Sequence, residues 1–233
     1  MNYLKNPLNF LKKYLVNQKN YPCITGQVVD YIHNQNWNFL KTSYHNKRIS
    51  SQRKVNSTGG VFIIKTNLWK LSGGMRTKYK RGQDLDFSLS LSKKGYRILR
   101  IPDVICIHHT ISHSDENRMW QNIANLNVFY NKSVLFRDHF LNKYLYKSLL
   151  RKEYTMLIMF LSALLAIFIH PAYLIVYFIA ILLRSASNTK KSFKVNRIYF
   201  FKRLAYYIIK DFLVIMMFFI FFPKNKKIRY KEL

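Results

Sequence analysis

Apolar and polar positions give the first 150 residues a mixed pattern. Pro7 to Val16 (PLNFLKKYLV) has helical spacing, and Ile24 to Ile32 (ITGQVVDYI) alternates as a strand does. His33 to Thr58 is polar and basic and predicts a long mobile loop. Gly59-Gly60 leads into Val61-Phe62-Ile63-Ile64, a short apolar run of the buried-strand type. Asn67 is a candidate cap for a short helix containing Leu68, Trp69 and Leu71, which stops at Gly73-Gly74. Asp84 to Lys94 predicts a helix ended by Gly95, and Tyr96 to Ile107 an extended segment interrupted at Pro102. From Asp115 a long helix is expected, with Trp120, Ile123, Leu126 and Phe129 near one face and Ser114-Asp115 as its cap. No internal repeat is present.

The pattern changes near residue 154. Tyr154 to Leu183 contains no Asp, Glu, Lys or Arg. A helix needs about 20 apolar residues to cross a bilayer, so this run is long for one span and short for two. His170-Pro171 lies near its middle, where proline removes a helix hydrogen bond. Arg151 and Lys152 flank one end, and Arg184, Lys190 and Lys191 the other. Basic flanks favour the cytoplasmic side, so a hairpin that enters and returns fits better than a single crossing. The alternative, a core hairpin of a soluble protein, lacks any remaining segment apolar enough to cover it. Leu204 to Phe222 is a second apolar stretch, interfacial in its first half around Lys210-Asp211. The expected organisation is a mixed α/β region over 1–150 and a helical membrane region over 151–233, with a hairpin at 154–183 and an apolar helix at 204–222.

Charge agrees with that layout. Lys and Arg number 39 against 10 Asp and Glu, a formal net charge of +29. Such an imbalance implies a polyanionic neighbour. The Lys and Arg cluster around the hydrophobic segments, which points to anionic membrane lipid. No nucleic-acid-binding motif is present, and nucleic acid is not an expected partner. Cys23 and Cys106 form no metal spacing or disulfide framework and read as reduced thiols in a cytosol-facing protein. The opening residues do not have the form of a signal peptide.

Against so few acids, Gln83-Asp84-Leu85-Asp86 stands out, placed where a basic loop becomes a helix. Carboxylates there face free backbone N–H groups and the positive end of the helix dipole, which favours the ionised form. An ionised carboxylate beside an open cleft can take a proton from an attacking hydroxyl. The plainer reading is a helix cap at Asp84 and a first-turn charge at Asp86, worth about 1 kcal/mol.

The order of pieces around that step resembles the second half of the inverting family 2 glycosyltransferases of the GT-A fold. The matching residues are Gly59-Gly60 with Val61 to Lys65, Gly73-Gly74, Gln83-Asp84-Leu85-Asp86, Lys94-Gly95-Tyr96-Arg97-Ile98, Pro102-Asp103 and His108, over roughly residues 20 to 130. The resemblance implies a partial GT-A-like α/β domain followed by an α-helical membrane-associated tail. It implies transfer of a sugar from a nucleotide-sugar to a cell-envelope glycan or lipid-linked acceptor, at the cytoplasmic face of a bacterial inner membrane. Asp84 matches the family's general base, with Gly59, Gly60, Gln83 and Asp86 as neighbours of the acceptor and donor site. Gln83 stands where the family usually has Glu, which keeps size and acceptor capacity but removes a charge. His108, with His109 as the alternative, matches a histidine that often ligands the donor's Mg²⁺ or Mn²⁺. Adjacent strand residues point to opposite faces, so at most one of the two reaches the cleft.

The family's nucleotide-binding half, with its metal-holding Asp-x-Asp, has no counterpart here. Asp84-Leu85-Asp86 spells that motif but follows Thr77-Lys78-Tyr79-Lys80-Arg81 rather than an apolar strand. The expectation is therefore a gene fragment, a wrongly started reading frame, or one half of a split enzyme that works with a separate donor-binding chain. The alternative is a non-catalytic remnant or partner subunit giving acceptor binding and membrane attachment. His33 and His45 have no acidic or cysteine residue nearby in the polar stretch and give no metal reading. His113-Ser114-Asp115 lacks a nucleophile elbow and is not read as a triad.

Overall fold

The computed structural model describes residues 2–4, 7–17, 19–111, 115–146, 153–190 and 197–225. The chain divides into two compact units, one of Met1–Asp115 with Lys224–Leu233 and one of Glu116–Pro223, so the division falls at Asp115 rather than near residue 150. The expected cap for the helix after Asp115 lies partly outside the described residues, since Ser114 is not among them.

The first unit is a six-stranded mixed sheet with helices on both faces. Its centre is a parallel pair, β2 (Cys23–His33) and β6 (Ile98–Ile111). Short strands line the outer edges. β1 (Asn2–Leu4) and β4 (Arg53–Val55) run antiparallel to β6, and β3 (Phe39–Tyr44) and β5 (Phe62–Ile64) antiparallel to β2. One face carries α1 (Pro7–Asn17), where Phe10 and Tyr14, one turn apart, are buried on Ile24, Val28, Leu99, Ile101, Ile105 and Cys106. The other face carries α2 (Thr66–Ser72) and α3 (Gln83–Lys93), with Leu68, Phe87 and Leu91 buried against Cys23 and Ile98. Both cysteines are free and buried, and burial pushes the Cys23 thiol up to about 12.

Three local expectations need correction. The stretch from His33 to Thr58 is not one loop, because it contains β3 and β4. The Asn34 carboxamide oxygen accepts from the Asn36 and Asn38 amides at 3.0 and 2.9 Å, closing the β2–β3 hairpin. β3 is an edge strand with mostly exposed side chains, so it lacks the apolar alternation that marks a half-buried strand. Second, Asn67 does not cap α2. Lys65 holds the cap position, and the Asn67 side chain accepts from Leu68 N inside the helix at 2.8 Å. Third, β6 runs through Pro102 without a break. The pairing with β2 shifts register on both sides of Gln27, and the Gln27 amide donates to the Pro102 carbonyl and to Ile49 O. A bulge is where a sheet tolerates proline. Gly26 makes the tight approach there possible, since a Cβ would fall 2.5 Å from Ile105 Cγ2.

The second unit is helical. The long helix expected after Asp115 is broken. α4 (Glu116–Ala124) stops before Leu126, which takes a positive φ of 61°. Then α5 (Asn127–Phe129) passes through a π turn, Tyr130–Val134, into α6 (Leu135–Asp138). The apolar run from Tyr154 forms a helical hairpin. α7 (Tyr154–Phe168) and α8 (Leu174–Lys190) are joined by a 3₁₀ turn at Pro171–Tyr173, where His170 Nδ1 accepts from Ala172 N at 3.2 Å. α9 (Arg197–Ile220) extends the last apolar stretch towards the N-terminus. Glu153, buried just before α7, is ringed by Lys132 Nζ at 2.7 Å, Lys210 Nζ at 2.8 Å and Arg184 at 3.4 Å. Among the described residues one helical stretch, Pro171–Thr189, is long and apolar enough to cross a membrane, and α7 is shorter.

Candidate functional site

α3 is preceded by its cap residue Gly82, whose φ of 83° lets the loop turn sharply into the helix. Gln83 is used locally, its amide donating to Tyr79 O at 2.7 Å. The two first-turn carboxylates then have different surroundings. Asp86, expected beside the site, is instead an interior anion, 1% exposed and gripped by Arg76 through two nitrogens. Asp84 is half-buried, and among the described residues no group hydrogen-bonds its carboxylate. Nor does it cap the helix, since the cap residue is Gly82.

Gly59 and Gly60 both take positive φ, 69° and 86°. They are tied to α3 through Thr58, whose amide donates to Ser88 Oγ at 3.0 Å, and Ser88 Oγ donates to Asp84 O at 2.5 Å. Arg100 lies beside Gly59. It is 5% exposed, its Nε has no hydrogen-bond partner among the described residues, and a terminal nitrogen lies 3.7 Å from where a Gly59 Cβ would stand. Its β4 partner in the sheet is Arg53, and burial together with that charge lowers the Arg100 pKa.

The histidines gather further along β6. Val28 and Cys106 belong to the core on the α1 face. Asp30 and His108, two positions beyond them and paired in the sheet, point the same way. Tyr31 and His109 point to the α3 face, where their rings are 5.1 Å apart and His33 Nε2 lies 3.0 Å from His109 Nδ1. So the expectation that His108 shares a cleft with Asp84 needs correction. Asp84 sits on the α3 face and His108 on the other, and His109 is the one on the α3 face. His108 is also eight residues beyond Arg100, about 26 Å of extended strand.

On the α1 face His108 has unexpected company. His108 Nδ1 is 2.8 Å from Asp30 Oδ1, and His45 Nδ1 is 3.0 Å from Asp30 Oδ2. One ligand atom from each of the three residues lies within 4.8 Å of the others. Burial alone would raise the Asp30 pKa, but the hydrogen bonds and charges of His45 and His108 outweigh it and lower it. Sequence reasoning passed over Asp30 and gave His45 no metal reading, because the two stand fifteen residues apart with no motif between them. The β2–β3 hairpin brings them together.

Set against known protein families, curated proteins and solved structures, the chain gives no significant match.

Proposed function

We propose that this chain is the acceptor-side, base-bearing part of a membrane-attached inverting glycosyltransferase of GT-A-like fold. The observation that carries the reading is the contrast at the start of α3. Asp86 is consumed by Arg76, while Asp84, two residues away, keeps a half-exposed carboxylate with no hydrogen-bond partner among the described residues. Asp84 takes the proton of an acceptor hydroxyl as that oxygen bonds to the sugar's anomeric carbon. The bond from that carbon to the diphosphate breaks in the same step, and a nucleoside diphosphate leaves. Arg100, a buried cation with no anion partner among the described residues, suits a phosphate-bearing substrate.

The Mg²⁺ or Mn²⁺ that the resemblance implies does not fit the residues around Asp84. Asp86 is engaged with Arg76, and no second free carboxylate stands with Asp84 among the described residues. Any metal on the donor diphosphate would need ligands from a nucleotide-binding half or separate chain, and no step above runs through it.

Membrane attachment is part of the same reading. The Pro171–Thr189 window is only 33% buried, whereas the core helix of a soluble protein would be mostly covered. Ile167, Phe168, Ile175, Val176 and Leu183 are exposed, which suits contact with lipid.

The test uses native membranes, which hold the full-length chain together with any separate donor-binding chain, supplied with a panel of labelled nucleotide-sugars. Wild-type membranes should label a glycan or lipid-linked acceptor. Asp84→Asn should lower incorporation by about 100-fold or more at unchanged protein level. Normal transfer by Asp84→Asn rejects the base, and no transfer by wild type favours the partner-subunit alternative.

A further inference from the structure

We propose that Asp30, His45 and His108 form a binding site for one divalent transition-metal ion of the zinc class. The site lies on the sheet face opposite Asp84, and the proposal does not depend on the glycosyl-transfer reading.

The three donors come from three separate parts of the unit: β2, the residue just after β3, and the C-terminal half of β6. Each strand fixes its donor by register, since Asp30 is paired with His108 on β6 and with Ser43 on β3. The stretch after β3 is held by Gln27, whose amide exchanges two hydrogen bonds with the Ile49 backbone, at 3.0 and 3.2 Å. His45 N also donates to Val28 O at 3.0 Å. The donors are therefore set by the sheet and not by a wandering loop.

Their spacing suits a metal. Ligand bonds of about 2.0–2.2 Å place neighbouring donor atoms roughly 3.3–3.6 Å apart around one tetrahedral ion. The two imidazole nitrogens stand 2.8 and 3.0 Å from the carboxylate oxygens they face. A small outward movement of each ring, with loss of the intervening proton, makes room for the ion. The carboxylate is already placed, since buried Asp30 stands between the two rings.

The donor set also selects the ion. Two imidazoles and one carboxylate suit zinc, cobalt or manganese, whereas Mg²⁺ prefers oxygen ligands and keeps its waters. His45 is the exposed member, so a fourth position opens to water on that side. The ion would tie the start of the 45–50 segment to both central strands, the role of a structural metal.

The experiment uses the full-length chain in detergent micelles, stripped with chelator and reloaded with Zn²⁺ or Co²⁺. One equivalent of zinc should survive desalting, as read by elemental mass spectrometry, and zinc should raise the melting temperature. Co²⁺ should give visible absorption bands, and Mg²⁺ should do neither. His45→Ala and His108→Ala should each weaken binding about tenfold or more, while His33→Ala leaves it unchanged. Because His45 is exposed, its replacement keeps the fold, checked by circular dichroism. Absence of bound metal in the wild type, or wild-type binding by His45→Ala, overturns the proposal. No readout involves sugar transfer, so this failure and that of the Asp84 reading are told apart.

Discussion

Arg76 holds Asp86 from two sides, its Nε donating to Oδ2 at 2.8 Å and a terminal nitrogen engaging Oδ1, with the carboxylate 1% exposed. A charge taken out of water this completely depends on its partner, and breaking a buried pair leaves the survivor uncompensated. Arg76 is 31% exposed, so solvent softens the loss. Asp86→Asn is expected to cost about 2–3 kcal/mol in urea unfolding of the full-length chain. Asp84→Asn, which removes no hydrogen bond among described residues, should stay within about 0.5 kcal/mol. Equal losses would mean that Asp84 is a stability residue and not a base held in reserve.

Arg100 presents the opposite situation, a guanidinium 5% exposed with Arg53 as its sheet neighbour and no carboxylate paired with it among the described residues. Burying a cation without a counter-ion costs free energy that an apolar residue of similar length would not. Arg100→Met is expected to raise stability by about 1 kcal/mol in anion-free buffer. Pyrophosphate should raise the melting temperature of the wild type and not of the variant. A variant less stable than wild type without anion would show that Arg100 already has a compensating partner.

The sequence carried the framework where burial imposes a period. β2, α1, α3 and the hairpin at Pro171 were readable because each has an apolar face or a proline at the turn. β3 and β4 were not, since edge strands with exposed side chains leave no alternation to read. Pro102 misled because proline reads as a break, and only the Gln27 amide shows how a bulge absorbs it. The Asp84 step was visible as a local motif. The Asp30, His45 and His108 cluster was not, because its members meet through pairing between strands distant in sequence. Alternation did predict that His108 and His109 part to opposite faces, but which face holds α3 required the packing of Phe87 and Leu91.

Asp30 also fixes a pH dependence. Its carboxylate faces His45 and His108, with the Cys106 thiol close enough to feel its charge. Burial pushes its pKa up and the two imidazoles pull it down further, so the folded value lies below the unfolded one, about 3.9. A depressed carboxylate adds stability that is fully present above the unfolded value and lost as pH falls through the folded one. In metal-free buffer, wild type should therefore be more stable than Asp30→Asn at pH 6, with the gap closing below about pH 4. The measurement is the urea midpoint of both proteins from pH 6 down to about pH 2.5. A gap that stays constant across the range would mean that Asp30 is not held ionised by the two histidines. The same two rings would then lack the anion around which a metal site is built.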